Sequence, residues 1–340
     1  MIHRIYRWLL TGFLDLCLLF YWYPLRKFFQ ALPYRCVFKL TGVITGVTAW
    51  VLPGIRKRLE AVISEWFPGV YSTKEVKEIS RRSIANYAGR RLEEMYIGSI
   101  TKEQIQKMVV VVGRENLEES VNRGKGTIIL LSHFGSFLMP LPVIGFMGYR
   151  ISQLAGPPIL KHHRSIHEKI FKLREIDFSR LPVTFLRTDL HLKTAVKAIR
   201  NNELLAVAFD GREGDKWNEV KFLNRTAFFA SGPLRIAQTT GASLVPTFII
   251  RQKDHTHRLV FGKPLTIQKG GMKEQVFDSV MQKLADIFDD HVRSYPCHAI
   301  ITMYIAEKRA KKDILTKPIF KPAILQPEEE THEYLQVFTS

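Results

Sequence analysis

The sequence predicts an α/β fold with a largely parallel central sheet flanked by helices, preceded by an N-terminal membrane-anchoring helix and a helical lead-in. Three observations predict it. Apolar runs such as "TIILLS" and "LLAVAFD" alternate with amphipathic stretches such as "DLHLKTAVKAIRNN", the pattern left by parallel strands covered on both faces by helices. With 340 residues, 46% of them hydrophobic, the chain has enough apolar material for a full core. Ahead of that alternation lies one mostly apolar run, Ile5–Leu25, of about a bilayer's length. The chain divides into residues 1–55 as membrane anchor and interfacial helices, 56–305 as the α/β domain, and 306–340 as a polar tail.

Taken in order, Ile5–Leu25 is flanked by Arg4 and by Arg26-Lys27, with Trp and Tyr at both ends as interfacial anchors. Asp15 interrupts it, which a tilted or shallow helix tolerates. The second apolar patch, Cys36–Ile55, is rich in Gly and Thr and closed by Pro53-Gly54, so it reads as a core or interfacial helix rather than a second span. Residues 56–112 read as helical. "KRLEAVISEWFPG" stops at Pro68-Gly69, and Ser72-Thr73 can cap the next helix, whose Val76, Ile79, Ile84, Tyr87 and Leu92 form an apolar stripe. A β-branched run, a turn at Gly113, an amphipathic helix and a Gly-Lys-Gly stop follow. Beyond them "TIILLS", "YRISQLAG", "VTFLR", "LLAVAFD", "SLVPTFIIR" and "HRLVFGKPL" are strands. Helices lie between the earlier ones, and "QVFDSVMQKLADIFDDHVRSY" is the last long helix. The tail is polar, Pro-bearing and weakly periodic, and is expected to pack loosely.

The formal net charge of +18 points to an anionic partner: nucleic acid, an anionic membrane surface or an acidic carrier protein. Residues 1–60 hold nine Lys/Arg against two acids, Asp15 and Glu60, which suits anionic headgroups at about 1 kcal/mol per basic residue near the surface. No nucleic-acid-binding module is recognisable, and no nucleic-acid partner is expected. Cys17, Cys36 and Cys297 form no CxxC pair, which argues against a disulfide framework or zinc site. No dinucleotide or Walker motif is present, and His162, His163 and His167 lack carboxylate or thiolate partners at ligand spacing, so neither cofactor nor metal is expected.

In parallel sheets the working groups gather beyond the carboxyl ends of the strands. His133, Arg187 and Asp210 all fall at such ends. Three blocks carry a resemblance: "GRENLEESVNRGKGTIILLSHFGSF" (Gly113–Phe137), "NNELLAVAFDGREGD" (Asn201–Asp215) and "FLNRTAFFASGPLRIAQTTGASLVPTFIIR" (Phe222–Arg251). Together they resemble the lipid A late acyltransferases, a branch of the lysophospholipid acyltransferase superfamily, from about residue 5 to about 305. Two features depart from that pattern. The histidine block of the family carries Asp or Glu five positions after the histidine, where this chain has Leu138, and "SYPCHAIITMY" replaces a Trp-containing segment.

The resemblance implies a membrane-associated enzyme that moves a fatty acyl group from an acyl carrier protein or coenzyme A thioester to a hydroxyl of a membrane lipid or lipid A-type glycolipid. It implies an inner-membrane location with the catalytic domain facing the cytoplasm. His133 would be the general base. Asp210 would replace the missing acid, with Glu213 and Asp215 as lesser candidates, although Asp-Gly is also a common turn pair. Gly135 would let backbone approach a ligand, and the amides after it would face an oxyanion. Ser136 borders the same site, but no GxSxG elbow surrounds it. Arg187, Arg212, Arg225 and Arg251 are candidates for phosphate contacts, with Arg187 and Arg212 favoured, against the alternative of solvated surface ions. Phe228 and Phe229 in "AFFASGPL" read either as an acyl-chain channel or as plain core. Two further readings remain open: transfer of an aminoacyl or other acyl group on the same fold, and a non-catalytic lipid-binding scaffold.

Overall fold

The computed structural model describes residues 12–13, 15–33, 36–37, 53–155, 165–212, 216–270, 273–312 and 317–321. The lead-in comprises α1 (Arg26–Ala31), α2 (Pro53–Trp66), α3 (Thr73–Tyr96) and α4 (Lys102–Met108). Then β1 (Val109–Val112), α5 (Arg114–Asn122), β2 (Thr127–Leu131), α6 (Pro140–Phe146), β3 (Ile151–Ala155), α7 (Ser165–Phe178), β4 (Thr184–Arg187), α8 (Thr188–Arg200) and β5 (Leu204–Ala208) alternate. A hairpin of β6 (Trp217–Phe222) and β7 (Arg225–Ala230) precedes α9 (Gly232–Thr240). The chain then runs through β8 (Ser243–Arg251), β9 (His257–Phe261), α10 (Glu274–Ser294) and α11 (Ile300–Lys312).

Seven strands form one sheet in the order β1-β9-β8-β2-β5-β3-β4, parallel except for the β8–β9 pair. The apolar runs explain the centre: all residues of β2 and of β8 are buried, as expected of strands covered on both faces. Core packing on one face converges on Phe288 of α10, which stacks on Phe222 at 5.1 Å and meets Phe209 edge-on at 5.4 Å. Helix α3 starts where expected, because the Ser72 amide donates to Glu75 Oε2 at 2.8 Å and the Ser72 hydroxyl caps the Glu75 amide, satisfying two donors of the first turn. Val76, Ile84, Tyr87 and Leu92 of its stripe are buried and Ile79 is half-buried.

Two expectations change. Pro53-Gly54, read as a stop, belong to helix α2, and residues 38–52 ahead of them lie outside the described residues. The tail does not leave the domain at residue 306. Helix α11 continues to Lys312, and residues 317–321 lie along β7, where the Phe228 amide donates to Ile319 O at 2.7 Å. Burial of Ile319 and Phe320, the latter 5.2 Å from the Trp66 ring, ties this segment down. Residues 313–316 and 322–340 lie outside the described residues.

The expected anchor, Ile5–Leu25, is described only in part. Residues 1–11 and 14 lie outside the described residues, as does most of the Cys36–Ile55 patch. Residues 15–20 are helical and pass into a π-helical turn, Tyr21–Leu25, that contains Pro24, and then into α1. A wider turn accommodates the missing proline amide without breaking the helix. Trp22 and Phe29 are buried against the domain, the Tyr21 hydroxyl donates to Arg91 O at 2.9 Å, and buried Arg26 pairs with Asp177 of α7 through Nε–Oδ2 at 2.8 Å. Phe13, Leu16, Phe20 and Phe28 are exposed. Among the described residues no helix is long and apolar enough to cross a membrane.

Candidate active site

Strands β2 and β5 are neighbours, parallel and in register from Thr127↔Leu204 to Leu131↔Ala208, and the Phe209 amide extends the ladder to Leu131 O at 3.1 Å. Two residues past the last pair on each strand stand His133 and Asp210. The register therefore delivers an imidazole and a carboxylate side by side on the carboxyl rim. The His133 amide donates to Asp210 Oδ2 at 2.8 Å, and His133 Nδ1 lies 3.1 Å from Asp210 Oδ1. One carboxylate thus grips both the backbone and the ring of the same residue. The Asp210 side chain is 8% exposed and that of His133 38%, so the acid is buried while the imidazole meets solvent.

Burial alone would push the Asp210 carboxyl up. His133, by its charge and its ring hydrogen bond, then Arg212 and the His133 amide, outweigh it and hold the carboxyl below its ordinary value. Arg212 is buried; its Nε donates to Asp210 O at 2.7 Å and Nη1 to Pro318 O at 3.1 Å, and its guanidinium lies 4.9 Å over the Trp217 ring. It braces the Asp210 loop. Leu138 packs half-buried against the apolar cluster of Met139, Leu141 and Ile249. An acid at Leu138 would be desolvated there, so Leu138→Glu is expected to lower stability by about 1–3 kcal/mol in urea unfolding without raising turnover.

Gly135 approaches backbone closely, but the backbone is the protein's own. Its φ is +59°, a Cβ there would lie 2.4 Å from Ile249 O, and its amide donates to His298 O at 2.9 Å. That amide is committed to the fold. Gly135→Ala is expected to cost at least about 2 kcal/mol, seen as a lower urea midpoint.

Ser136 is buried in a charged cluster that the sequence did not reveal. Its Oγ accepts from Arg251 Nη2 at 2.9 Å and lies 3.2 Å from His257 Nε2. Glu93 Oε1, from α3, lies 2.7 Å from Arg251 Nη2 and 2.9 Å from His257 Nε2. Burial raises the Glu93 carboxyl, yet Arg251 and His257 together hold it at about 2. The cluster sits beneath the "HFGS" turn and fixes it, which places Ser136 and Arg251 in a support role away from solvent. His298 completes the support, stacking on Phe134 at 5.3 Å and accepting the Arg251 amide at Nε2, 3.0 Å away.

Burial, then Arg251 and Arg82, depress the His298 imidazole to about 3 from 6.5. The unfolded chain therefore binds the extra proton between those values. Stability from this group is complete above about pH 6.5 and is lost as pH falls toward 3, at up to about 1.4 kcal/mol per pH unit. A thermal midpoint that drops between pH 6.5 and 4, and drops less in His298→Gln, is the expected result.

The remaining arginines and phenylalanines make other contacts. Arg187 ends β4 at the sheet edge, three strand spacings of about 4.8 Å from β2, exposed and paired with Asp189 at 2.7 Å. Arg225 pairs with Glu65 at 2.9 Å and covers the Phe320 ring at 4.3 Å. Phe229 is core, stacked on Phe209 at 5.0 Å, and Phe228 lies under Lys317 at 4.1 Å. Glu213, Asp215, His162 and His163 lie outside the described residues, as does the His167 side chain. Among the described residues no three His, Cys, Asp or Glu side chains are grouped to hold a metal. A cleft of about 430 Å³ beside Tyr149, Arg150 and Asn202 lies at the amino ends of β3 and β5, the opposite end of the sheet.

A half-exposed imidazole backed by a buried carboxylate is an arrangement able to take a proton from a hydroxyl. The comparisons with known proteins give that chemistry its content. The chain belongs to the bacterial lipid A biosynthesis acyltransferase family, whose sequence model matches residues 15–298. It is also similar to a phosphatidylinositol mannoside acyltransferase of Mycolicibacterium smegmatis, 22% identical over 245 residues that cover 69% of this chain and 76% of that protein. The protein is an acyltransferase.

Proposed function

We propose that this acyltransferase moves a fatty acyl group from a thioester of acyl carrier protein or coenzyme A to a glycolipid hydroxyl, at the cytoplasmic face of the inner membrane. The His133–Asp210 pair carries the reading. With Nδ1 facing the carboxylate, Nε2 is the nitrogen that takes the hydroxyl proton. The hydroxyl oxygen attacks the thioester carbonyl, the C–S bond breaks, and the proton held at Nε2 passes to the departing thiolate. Asp210 stays ionised throughout and stabilises the imidazolium. The acid that Leu138 does not provide comes from the neighbouring strand, which supports a competent enzyme over a scaffold.

Surface chemistry supports the membrane location. The exposed Phe13, Leu16, Phe20 and Phe28 give the N-terminal helix an apolar outer side, and the surrounding excess of Lys and Arg suits anionic headgroups. The same positive charge suits an acidic carrier protein as donor. Phe20→Asp is expected to reduce sedimentation of the full chain with anionic vesicles at least several-fold. Sedimentation equal to wild type would refute the membrane reading. For the reaction, purified full chain in glycolipid-containing vesicles is given a radiolabelled acyl thioester. Transfer of label to the glycolipid by wild type and not by His133→Ala is expected; transfer by both would refute it.

A further inference from the structure

One charged group near the site has no role in the mechanism above. The Arg90 guanidinium of α3 lies 4.9 Å from the centre of the Phe137 ring, and the His133 imidazole stands 4.8 Å from the same ring. One aromatic side chain therefore separates an arginine from the base. Arg91 follows on the helix, and Arg174 of α7 joins from the other side, over the rings of Trp22 at 5.5 Å and Phe178 at 5.8 Å.

The Glu94 carboxylate attracts all three guanidiniums. Glu94 lies 2.6 Å from Arg91 and 3.7 Å from Arg90, and among the described residues Arg174 has no ion-pair partner. The adjacent Glu93 is engaged with Arg251 and His257. Burial, together with Arg91 and Arg90, pulls the Arg174 guanidinium below its ordinary value despite the attraction of Glu94. Holding surplus cations close together in a partly buried place is costly unless an anion joins them. Each of the three keeps part of its surface exposed.

We propose that Arg90, Arg91 and Arg174 form a phosphate-binding subsite of the acyl-transfer site. Planar guanidiniums bind phosphate oxygens bidentately, and several around one anion give the strongest charge-assisted contacts. Its arginines touch Phe137, the neighbour of His133, at one end and Tyr21 and Trp22, which follow the exposed Phe13, Leu16 and Phe20, at the other. A lipid whose chains stay on the bilayer side would thus bring a headgroup phosphate to the arginines and a hydroxyl to the imidazole. The pantetheine arm of the donor carries a phosphate of the same chemistry. The inference rests on the acyl-transfer reading of His133 and Asp210.

The test is calorimetric titration of the full chain, without any thioester, with phosphorylated butyl glucoside, butyl glucoside and coenzyme A. Wild type is expected to prefer the phosphorylated glycoside, and Arg90→Gln and Arg174→Gln each to weaken it by on the order of tenfold. Arg90→Lys, which keeps the charge and loses the fork, is expected to fall between and guards against a variant that merely unfolds. A loss seen with the glycoside assigns the subsite to the acceptor, and a loss confined to coenzyme A assigns it to the donor. Equal affinity of wild type for the phosphorylated and neutral glycosides and unaltered coenzyme A binding in both Gln variants would overturn the proposal. Because these titrations need no turnover, an inactive enzyme that still binds phosphate through Arg90 would refute the acyl-transfer reading alone.

Discussion

Asp210→Asn is expected to lower kcat for acyl transfer by about 10⁴-fold while leaving the fold and both KM values within a few-fold of wild type. The amide oxygen of Asn can still accept the His133 backbone amide, as Asp210 Oδ2 does at 2.8 Å, so the loop geometry survives. Its NH₂ would then face Nδ1, where Asp210 Oδ1 now stands at 3.1 Å. That forces the imidazole proton onto Nε2, the nitrogen that must be bare to accept a proton from the hydroxyl. The loss is one of tautomer and of imidazolium stabilisation, not of binding, and a kcat-specific defect is its signature. Since the neighbouring charges hold the Asp210 carboxyl below its ordinary 3.8, it stays ionised at any pH where the protein is folded and assayed. The acid limb of the pH–rate profile is therefore not set by this residue.

The second large effect is on stability. Glu93→Gln is expected to destabilise the protein by about 3–5 kcal/mol, because it leaves Arg251 and His257 buried without their shared carboxylate. That is a large part of the 5–15 kcal/mol typical of a folded domain, so the urea midpoint falls steeply and expression of folded protein falls with it. The pH dependence identifies the cause. Glu93 is held at about 2 in the fold against 4.5 in the unfolded chain, so its contribution is complete above about pH 4.5 and disappears as pH falls toward 2. The variant is expected to lose that part of the acid-unfolding slope. A Glu93→Met, Arg251→Met double variant is expected to be more stable than either single one, since it removes both charges together.

The sequence made some of this visible and hid the rest for identifiable reasons. Strands β2, β5 and β8 were legible because burial on both faces leaves unbroken apolar runs. His133 and Asp210 were legible as strand ends, but their pairing depends on β2 and β5 being neighbours, which strand order decides and local pattern does not. The β6–β7 hairpin was missed because its residues alternate weakly, with Trp217, Asn218 and Glu219 all at least partly exposed. Glu93 was hidden because a glutamate on a helix reads as a solvated face; only β8 and β9, arriving from far along the chain with Arg251 and His257, make it interior. Arg187 was legible as a strand end, but that its strand is the edge of the sheet is decided by strand order. The tail looked loose because it is polar overall, and the apolar pair Ile319-Phe320 was enough to dock it.

The claim at the centre is that Asp210 acts as the acid partner of His133 in place of the residue missing at Leu138. The double-mutant cycle of acyl-transfer rates for wild type, His133→Ala, Asp210→Asn and the combined variant tests it most directly. Groups that work as one unit give non-additive losses, so both single variants and the double are expected to fall to similar residual rates. A rate for Asp210→Asn within about tenfold of wild type, or single losses that multiply in the double variant, would contradict it.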